Sequence, residues 1–160
     1  FMPGFAMGMA ASTLTSQYLG LGDPDRATRA TKLCWLVSAT VMGLMGALFW
    51  FIPEQLVSLV TNEASLIEMT PTLLRICAPV QVFLATAMVL STAMRGAGAT
   101  RSTLLVSGTS TWLVRLPMAI VMGSLWGLNG VWVAMGIELV VRGVAFWALF
   151  KRGKWAEVAV

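Results

Sequence analysis

The chain has 160 residues, of which 58% are hydrophobic and only 11% are charged, and its mean hydropathy is +0.80. A soluble domain averages roughly 45–50% apolar and about 25% charged residues, so this composition excludes a water-soluble globule. The formal net charge of +4 comes from short basic clusters between apolar runs, which excludes the continuous basic face of a nucleic-acid-binding protein. The sequence therefore predicts a membrane protein whose solvent is largely lipid.

Five apolar stretches follow one another along the chain, and each is predicted to be a transmembrane helix because backbone polar groups in lipid must be bonded within the segment. The predicted helices are residues 1–20, 33–53, 72–94, 102–126 and 127–150. The second is free of charge and spans about 30 Å, the thickness of a hydrocarbon core. Pro79 and Pro117 are expected to interrupt the third and fourth helices. Phe1 begins inside an apolar run, so we interpret the chain as a fragment and not as a signal peptide.

The connections between these helices alternate in charge. Residues 21–32, 95–101 and the tail 151–160 carry arginine and lysine, whereas residues 54–71 carry three glutamates and no basic residue. Because basic residues concentrate in cytoplasmic loops, the three basic connections are predicted to be cytoplasmic and residues 54–71 external. Within the external connection, either a plain loop or a short interfacial amphipathic helix fits the apolar positions Ile52, Leu56, Leu59 and Val60.

Two glycine-rich turns close the first and third predicted helices. Gly20 and Gly22 can terminate a helix, and Asp25 is a candidate N-cap for the helix that follows. Gly96 and Gly98 form a Gly-x-Gly element without the strand or the Lys-Ser/Thr pair of a phosphate-binding loop, so a tight turn is predicted. Histidine is absent and both cysteines lie in apolar runs, so no metal site, disulfide or cofactor is expected.

Three charges lie well inside predicted helices: Arg115, Glu138 and Arg142. A charge at the bilayer centre costs roughly 2.5–3.5 kcal/mol on insertion scales, so each of them needs a partner. Glu138 and Arg142 are four residues apart on one helix and should stack, and Arg115 is expected at a similar depth on the neighbouring helix. We interpret the three as one cluster and favour a structural clamp over an ion site, because two arginines would hold the carboxylate ionised.

Hydroxyl groups facing lipid gain nothing, so the polar side chains of the first and third helices should face either other helices or a wet cavity. Both alternatives stay open at this point. If a substrate cavity is present, its predicted wall consists of Met7, Ser12, Thr13, Ser16, Gln81 and Thr86. Eleven methionines in the chain suit an adaptable, apolar cavity because the unbranched thioether repacks easily.

The order of several short motifs is informative. The positions are Gln17, Gly20, Gly22 and Arg26, then Arg95, Gly96 and Gly98, then Arg115 and Pro117, then Gly130 to Trp132, and finally Gly153 to Trp155. In this order the chain resembles the carboxy-terminal lobe of the multidrug and toxic compound extrusion (MATE) exporters. The resemblance implies an all-α fold of twelve helices in two six-helix lobes, with the five predicted helices as helices eight to twelve and the amino-terminal lobe missing.

The resemblance also implies a function: an antiporter that exports small organic cations in exchange for protons or sodium ions by alternating access. Its expected location is the bacterial inner membrane with a cytoplasmic carboxy terminus, and its expected partners are the lipid bilayer, the organic cation and the missing lobe. Some family members carry an acid in the tenth helix, but residues 72–94 carry only Arg75, so the coupling carboxylate is expected outside this chain. The alternatives are a flippase for lipid-linked oligosaccharides from a related fold and, less favoured for want of a catalytic constellation, a polytopic membrane enzyme.

Overall fold

A computed structural model of the chain describes residues 1–156, nearly all of which are helical. The elements in chain order are α1 (Met2–Gly20), α2 (Pro24–Phe51), α3 (Pro53–Val60), α4 (Ala64–Cys77), α5 (Gln81–Gly96), α6 (Thr100–Thr109), a π-helical segment (Ser110–Arg115), α7 (Leu116–Lys151) and a 3-10 turn (Lys154–Ala156). The predicted all-helical class is confirmed for this part of the chain.

Two helical stretches are long and apolar enough to cross a bilayer, namely Pro24–Phe51 and the continuous stretch Thr100–Lys151. The number of candidate spans rises to three if α4 and α5, which meet at a 57° bend, are counted as one broken span. A straight helix of 52 residues, the length of Thr100–Lys151, would measure about 78 Å, more than twice the hydrocarbon thickness.

The chain reverses direction at Gly127, inside α7. Gly127 has φ 59° and ψ −138°, which is not helical. A Cβ built on Gly130 would collide with the carbonyl of Met122, and one on Gly123 would lie 3.0 Å from the side chain of Val131. Residues eight apart in a straight helix would be about 12 Å from one another, so α7 is a helical hairpin with its two arms in contact near the turn.

Helices α1 and α5 run parallel and lie very close together because glycine and small polar residues face each other. A Cβ on Gly8 would lie 3.2 Å from Thr92 Oγ1, and a Cβ on Gly96 would lie 2.6 Å from the carbonyl oxygen of Ser12. Contacts that advance along both helices in the same direction define a parallel pair. Small residues are typical of helix contacts in membranes because they let the backbones approach.

The turns after α1 and α5 have the same structure. Gly22 has φ +73° and Gly98 has φ +82°. In the first turn the amide of Asp23 donates to the carbonyl of Tyr18 and that of Gly22 to Leu19, at 2.9 Å each. In the second, Ala99 and Gly98 donate to residues at the equivalent positions, Met94 and Arg95, at 2.9 and 3.0 Å. Both are Schellman motifs, which place glycine where φ must be positive.

The N-cap of α2 is Asp23 and not the predicted Asp25. The Oδ1 atom of Asp23 accepts a hydrogen bond from the amide of Arg26 at 2.9 Å, and its carboxylate also pairs with the Arg26 guanidinium at 3.1 Å. Pro24 occupies the first helical position, where a missing N–H costs nothing. Asp25 therefore falls in the first turn, where its charge favours the positive end of the helix dipole.

The connection between residues 54 and 71 is more helical than predicted. A short helix, α3, is present, but the third long helix begins at Ala64 and not at residue 72. The bend between α4 and α5 confirms the interruption predicted at Pro79, since α4 ends at Cys77 and α5 begins at Gln81. Arg75 of α4 reaches Glu54 of α3 at 3.4 Å, and both side chains are largely exposed. The single charge noted in the third predicted helix thus lies in a surface ion pair.

The basic connections gather at one end of the bundle. One buried apolar cluster joins Ala27 near the start of α2, Ala97 and Ala99 between α5 and α6, and Phe150 and Trp155 at the end of α7. The arginines and lysines of residues 21–32, 95–101 and 151–152 are neighbours in sequence of these residues. We call this the basic end of the bundle.

Candidate functional site

A π-helical segment, Ser110–Arg115, brings polar side chains to the second arm of α7. The amide of Leu116 bonds to the carbonyl of Thr111, five residues earlier, which is the π-helical pattern. Pro117 follows directly; it has no N–H and its ring crowds the preceding turn, so regular α-helical bonding is disturbed at this place. The interruption predicted at Pro117 therefore takes the form of a widened turn before it.

Four side chains meet across the two arms, and we call them the Glu138 cluster: Ser110, Thr111, Glu138 and Arg142. Ser110 Oγ donates to Glu138 Oε1 at 2.5 Å, and Arg142 Nε donates to the same oxygen at 2.7 Å. Arg142 Nη2 also lies 2.5 Å from Glu138 Oε1 and donates to Thr111 Oγ1 at 2.9 Å. The glutamate is completely buried, whereas the arginine side chain keeps 21% of its surface exposed.

The hydrogen bonds of Glu138 are unevenly distributed between its two oxygens. Within residues 1–156, Oε2 is buried without a hydrogen-bond partner, while Oε1 accepts from two residues. A buried carboxylate is tolerable only when it is paired and hydrogen-bonded, and here Arg142 supplies the charge and the π-helical segment supplies the hydroxyls. The arrangement can tie the two arms of the α7 hairpin together at the depth of Ser110.

Arg115 is not part of this cluster. It is half-buried, and among residues 1–156 the ion pairs are those of Arg26, Arg75 and Arg142, so Arg115 has no acidic partner there. The expected cluster of three charges is thus reduced to one pair. Arg115 lies five residues beyond Ser110, about 7 Å along a helix axis. In its place the widened turn presents Ser110 to Glu138 and Thr111 to Arg142.

The largest polar-lined cavity close to this cluster has a volume of about 460 Å³ and lies between α1, α5, α6 and α7. Its volume falls within the range of small-molecule sites, roughly 300–1,000 Å³. Apolar walls alternate with a few polar groups, and Arg142 connects the cavity to the Glu138 cluster. Its lining includes Phe5, Met88, Ser91, Thr92, Arg95, Ser107, Arg142 and Phe146.

None of the six residues predicted to form a cavity wall lines this cavity. Ser12 packs against Gly96, and Ser16 Oγ donates to the carbonyls of Ser12 and Gly96 at 2.8 and 2.9 Å. Thr86 accepts from Trp35 Nε1 at 2.9 Å. These residues take part in contacts between helices, where a hydroxyl can bond to a neighbouring helix because two backbones lie close.

The other three predicted wall residues are also dispersed. Met7 packs on the buried cluster formed by Ala11, Cys34, Val89 and Ala93. Thr13 is exposed and bonds to the carbonyl of Met9 at 3.1 Å, and Gln81 lies beside Gly46. Arg95 and Ser107 line the cavity but were not among the predicted wall residues. Arg95 was assigned only to a turn, and Ser107 carries no local signal.

The chain was compared with known proteins. The family model described as MatE matches residues 1–121, about three quarters of the chain. The chain belongs to the MatE family. Membership places it among integral membrane transport proteins, in agreement with its long apolar helices.

Curated relatives match almost the whole of this chain but only part of their own length. The chain is 30% identical over 162 aligned residues to "Probable multidrug resistance protein NorM" of Thermotoga maritima, covering 100% of this chain and 35% of that protein. It is 28% identical to a protein of the same name from Pseudomonas aeruginosa, with 94% and 32% covered. It is 22% identical to "Probable multidrug resistance protein YpnP" of Bacillus subtilis, with 96% and 35% covered. The chain thus spans about a third of the length of these relatives.

Proposed function

We propose that this chain is part of a secondary active antiporter that exports small organic cations in exchange for protons or sodium ions. The observation that carries the proposal is the MatE match together with relatives named as multidrug resistance proteins. These names also favour a transporter over a membrane enzyme. The cavity beside the Glu138 cluster supports it further, since it combines apolar walls with few polar groups, as sites for varied ligands do.

The proposed topology has five membrane crossings: α1, α2, the bent pair α4 and α5, and the two stretches on either side of Gly127. The parallel packing of α1 and α5 supports this count, since the first and third crossings must run in the same direction. The gathering of the basic connections at one end supports a cytoplasmic location for that end. By family analogy these crossings are helices eight to twelve.

Thiol labelling tests the topology. In a full-length variant carrying Cys34→Ala and Cys77→Ala, we would place single cysteines at Arg29 and at Glu63, both exposed positions at opposite ends of α2 and its following connection. A membrane-impermeant maleimide applied to sealed, right-side-out vesicles should label the cysteine at residue 63 and spare that at residue 29. Labelling of both from one side would refute the proposed topology.

Efflux measurements on the full-length protein test the transport function. We expect extrusion of a fluorescent organic cation from loaded vesicles only when an inward proton or sodium gradient is imposed. Efflux that is independent of any gradient would contradict antiport. The flippase alternative predicts instead gradient-independent or absent dye efflux and translocation of a lipid-linked oligosaccharide. The observation that favours the flippase is the position of Arg95. It lines the cavity and has no acidic partner within residues 1–156, whereas Arg142 is neutralised by Glu138.

We propose that the Glu138 cluster is a structural clamp and that the coupling carboxylate lies elsewhere in the polypeptide. The bonds from Ser110, Thr111 and Arg142 support this role because they join two helices and leave Glu138 without exposure. A full-length Glu138→Gln variant should retain ion-coupled efflux at reduced folded yield. Normal yield with loss of proton or sodium coupling would show that Glu138 carries the coupling ion.

A further inference from the structure

A groove runs between α2 and α7, starting at the basic end of the bundle and continuing toward its centre. Its outer part, about 490 Å³, is lined by Thr28 and Lys32 of α2, Trp147 and Lys151 of α7, and Trp155. Its inner part, about 310 Å³, is lined by Trp35, Phe83, Val144 and again Trp147. Trp147 borders both parts, and we refer to the two together as the α2–α7 groove.

The two parts of the groove differ in chemistry. Within residues 1–156 the outer part is lined by two lysines and by no carboxylate, and neither lysine forms an ion pair there. Lys151 Nζ lies 5.8 Å from the ring centre of Trp147. The inner part is apolar apart from the Thr86 hydroxyl, which is already engaged by Trp35. The groove is therefore amphipathic along its length, with the positive charge at the bundle end.

Aromatic residues border both parts of the groove. Trp35 and Trp147 are in tilted contact with ring centres 4.8 Å apart, and the Trp35 indole is fixed by its bond to Thr86. Trp155 stacks on Phe150 at 5.1 Å and donates from Nε1 to the Phe150 carbonyl at 3.0 Å. Indole rings favour the headgroup region of a bilayer, which places the outer part of the groove at that depth.

Exposed apolar side chains lie around the groove. Leu33 and Leu36 on α2 are 62% and 54% exposed, and Val144 on α7 is 53% exposed, so apolar side chains surround the opening. An apolar helix seated there would leave Lys32 and Lys151 desolvated without partners, which is costly. An amphiphile with an anionic head and an apolar chain would satisfy both parts at once, since basic pockets between membrane helices suit anionic lipid headgroups.

We propose that the α2–α7 groove binds an anionic phospholipid, with its phosphate between Lys32 and Lys151 and one acyl chain along Trp35, Phe83 and Val144. The assignment of this lipid to the cytoplasmic leaflet rests on the proposed topology, but the binding site itself does not. A bound lipid would fill the space between α2 and α7, which contact each other mainly through the two tryptophans. It would thereby couple the second crossing to the last.

Binding is measured on the full-length protein in a neutral detergent by titration calorimetry. The probes are dioctanoyl phosphatidylglycerol, dioctanoyl phosphatidylcholine and glycerol 3-phosphate. The first has an anionic head and acyl chains, the second has the same chains without a net negative charge, and the third is an anionic head without chains. We expect phosphatidylglycerol to bind more tightly than phosphatidylcholine, and glycerol 3-phosphate not to compete. Equal binding of the two lipids would overturn the proposal, as would competition by glycerol 3-phosphate at the concentration of the lipid.

Variants locate the site. In Lys32→Gln with Lys151→Gln, affinity for phosphatidylglycerol should fall about 25-fold, since each lysine near an anionic head contributes about fivefold. The matched control is Arg29→Gln with Arg101→Gln, which removes two exposed charges at the same end without touching the groove. Val144→Trp should fill the inner part of the groove and block the acyl chain. Val141→Trp, on the same helix and also exposed, should not. An equal loss in a variant and its control would refute the assigned position.

Discussion

Replacing Glu138 with alanine should be among the most destabilising single changes in the described part of the chain. The glutamate is fully buried and accepts from Ser110 and from Arg142, so its removal leaves the arginine without its charge partner and the serine without its acceptor. Breaking one side of a buried ion pair costs about 3–5 kcal/mol. Because Arg142 keeps some contact with the cavity, we expect about 3 kcal/mol for Glu138→Ala.

A glutamine at this position should cost less than an alanine. Its side-chain oxygen can still accept from Ser110 and Arg142, but the bonds lose the charge on the acceptor, and charge-assisted hydrogen bonds are roughly twice as strong as neutral ones. The expected loss for Glu138→Gln is therefore about half that of the alanine variant. The measurement is equilibrium unfolding of the full-length protein in mixed micelles, followed by helical circular dichroism.

The chain supplies its own control in the ion pair between Arg75 and Glu54. This pair spans 3.4 Å, and its side chains are 49% and 66% exposed. Exposed pairs contribute about 0–1 kcal/mol, so Glu54→Ala should change the free energy of unfolding by less than 1 kcal/mol. A loss for Glu138→Ala no larger than that for Glu54→Ala would refute the clamp.

A double-mutant cycle isolates the pair itself. Glu138→Leu combined with Arg142→Met removes both charges, and replacing a buried pair with apolar residues of similar size is often close to neutral. The double variant should therefore be more stable than either single variant, with a coupling energy of about 2–3 kcal/mol. Losses that simply add would mean that the two residues act separately.

Two further predictions concern the glycines of the turns. Gly22→Ala should cost about 1–2 kcal/mol because φ is +73° there, whereas Gly20→Ala, in the same turn but helical and with open space around it, should be neutral or slightly stabilising. Gly96→Ala should cost about 1–3 kcal/mol by forcing α1 away from α5, whereas Gly108→Ala, with no atom within 4 Å of its Cβ, should not destabilise. Both pairs are measured by the same unfolding assay, and equal effects within either pair would contradict the geometry described.

The sequence was a good guide wherever backbone chemistry is local. Glycines at the ends of α1 and α5 predicted both turns, since a positive φ requires them, and Pro79 predicted the break between α4 and α5. The start of α4 at Ala64 could not be predicted, because residues 64–71 contain Glu68 and Pro71 and fit a loop as well as a helix. The cap was predicted at Asp25, but Asp23 is the N-cap because Pro24 occupies the first helical position.

The candidate site was only partly predictable because it depends on how one helix faces another. The pairing of Glu138 with Arg142 followed from their spacing on one helix and appears in the structure. The partners on the opposite arm did not follow, because a π turn adds a residue to the repeat and changes which side chains face the neighbour. Arg115 was expected at the depth of Glu138 because each lies about halfway along its apolar segment, whereas the widened turn presents Ser110 to Glu138 and Thr111 to Arg142.

The regular helices and the irregular helices of this bundle are stabilised by different kinds of contact. Helices α1 and α2 are uninterrupted and join each other and α5 through small residues and a buried contact between Thr15 and Thr31 at 2.9 Å. Such contacts depend on close packing and on hydrogen bonds between neutral groups, and they need no charge. The π turn before α7 and the break at Gly127 inside it each give up regular backbone hydrogen bonds. A charged pair adds little to a close-packed helix contact. In the α7 hairpin it stabilises the structure, because it supplies directional hydrogen bonds where the backbone no longer does.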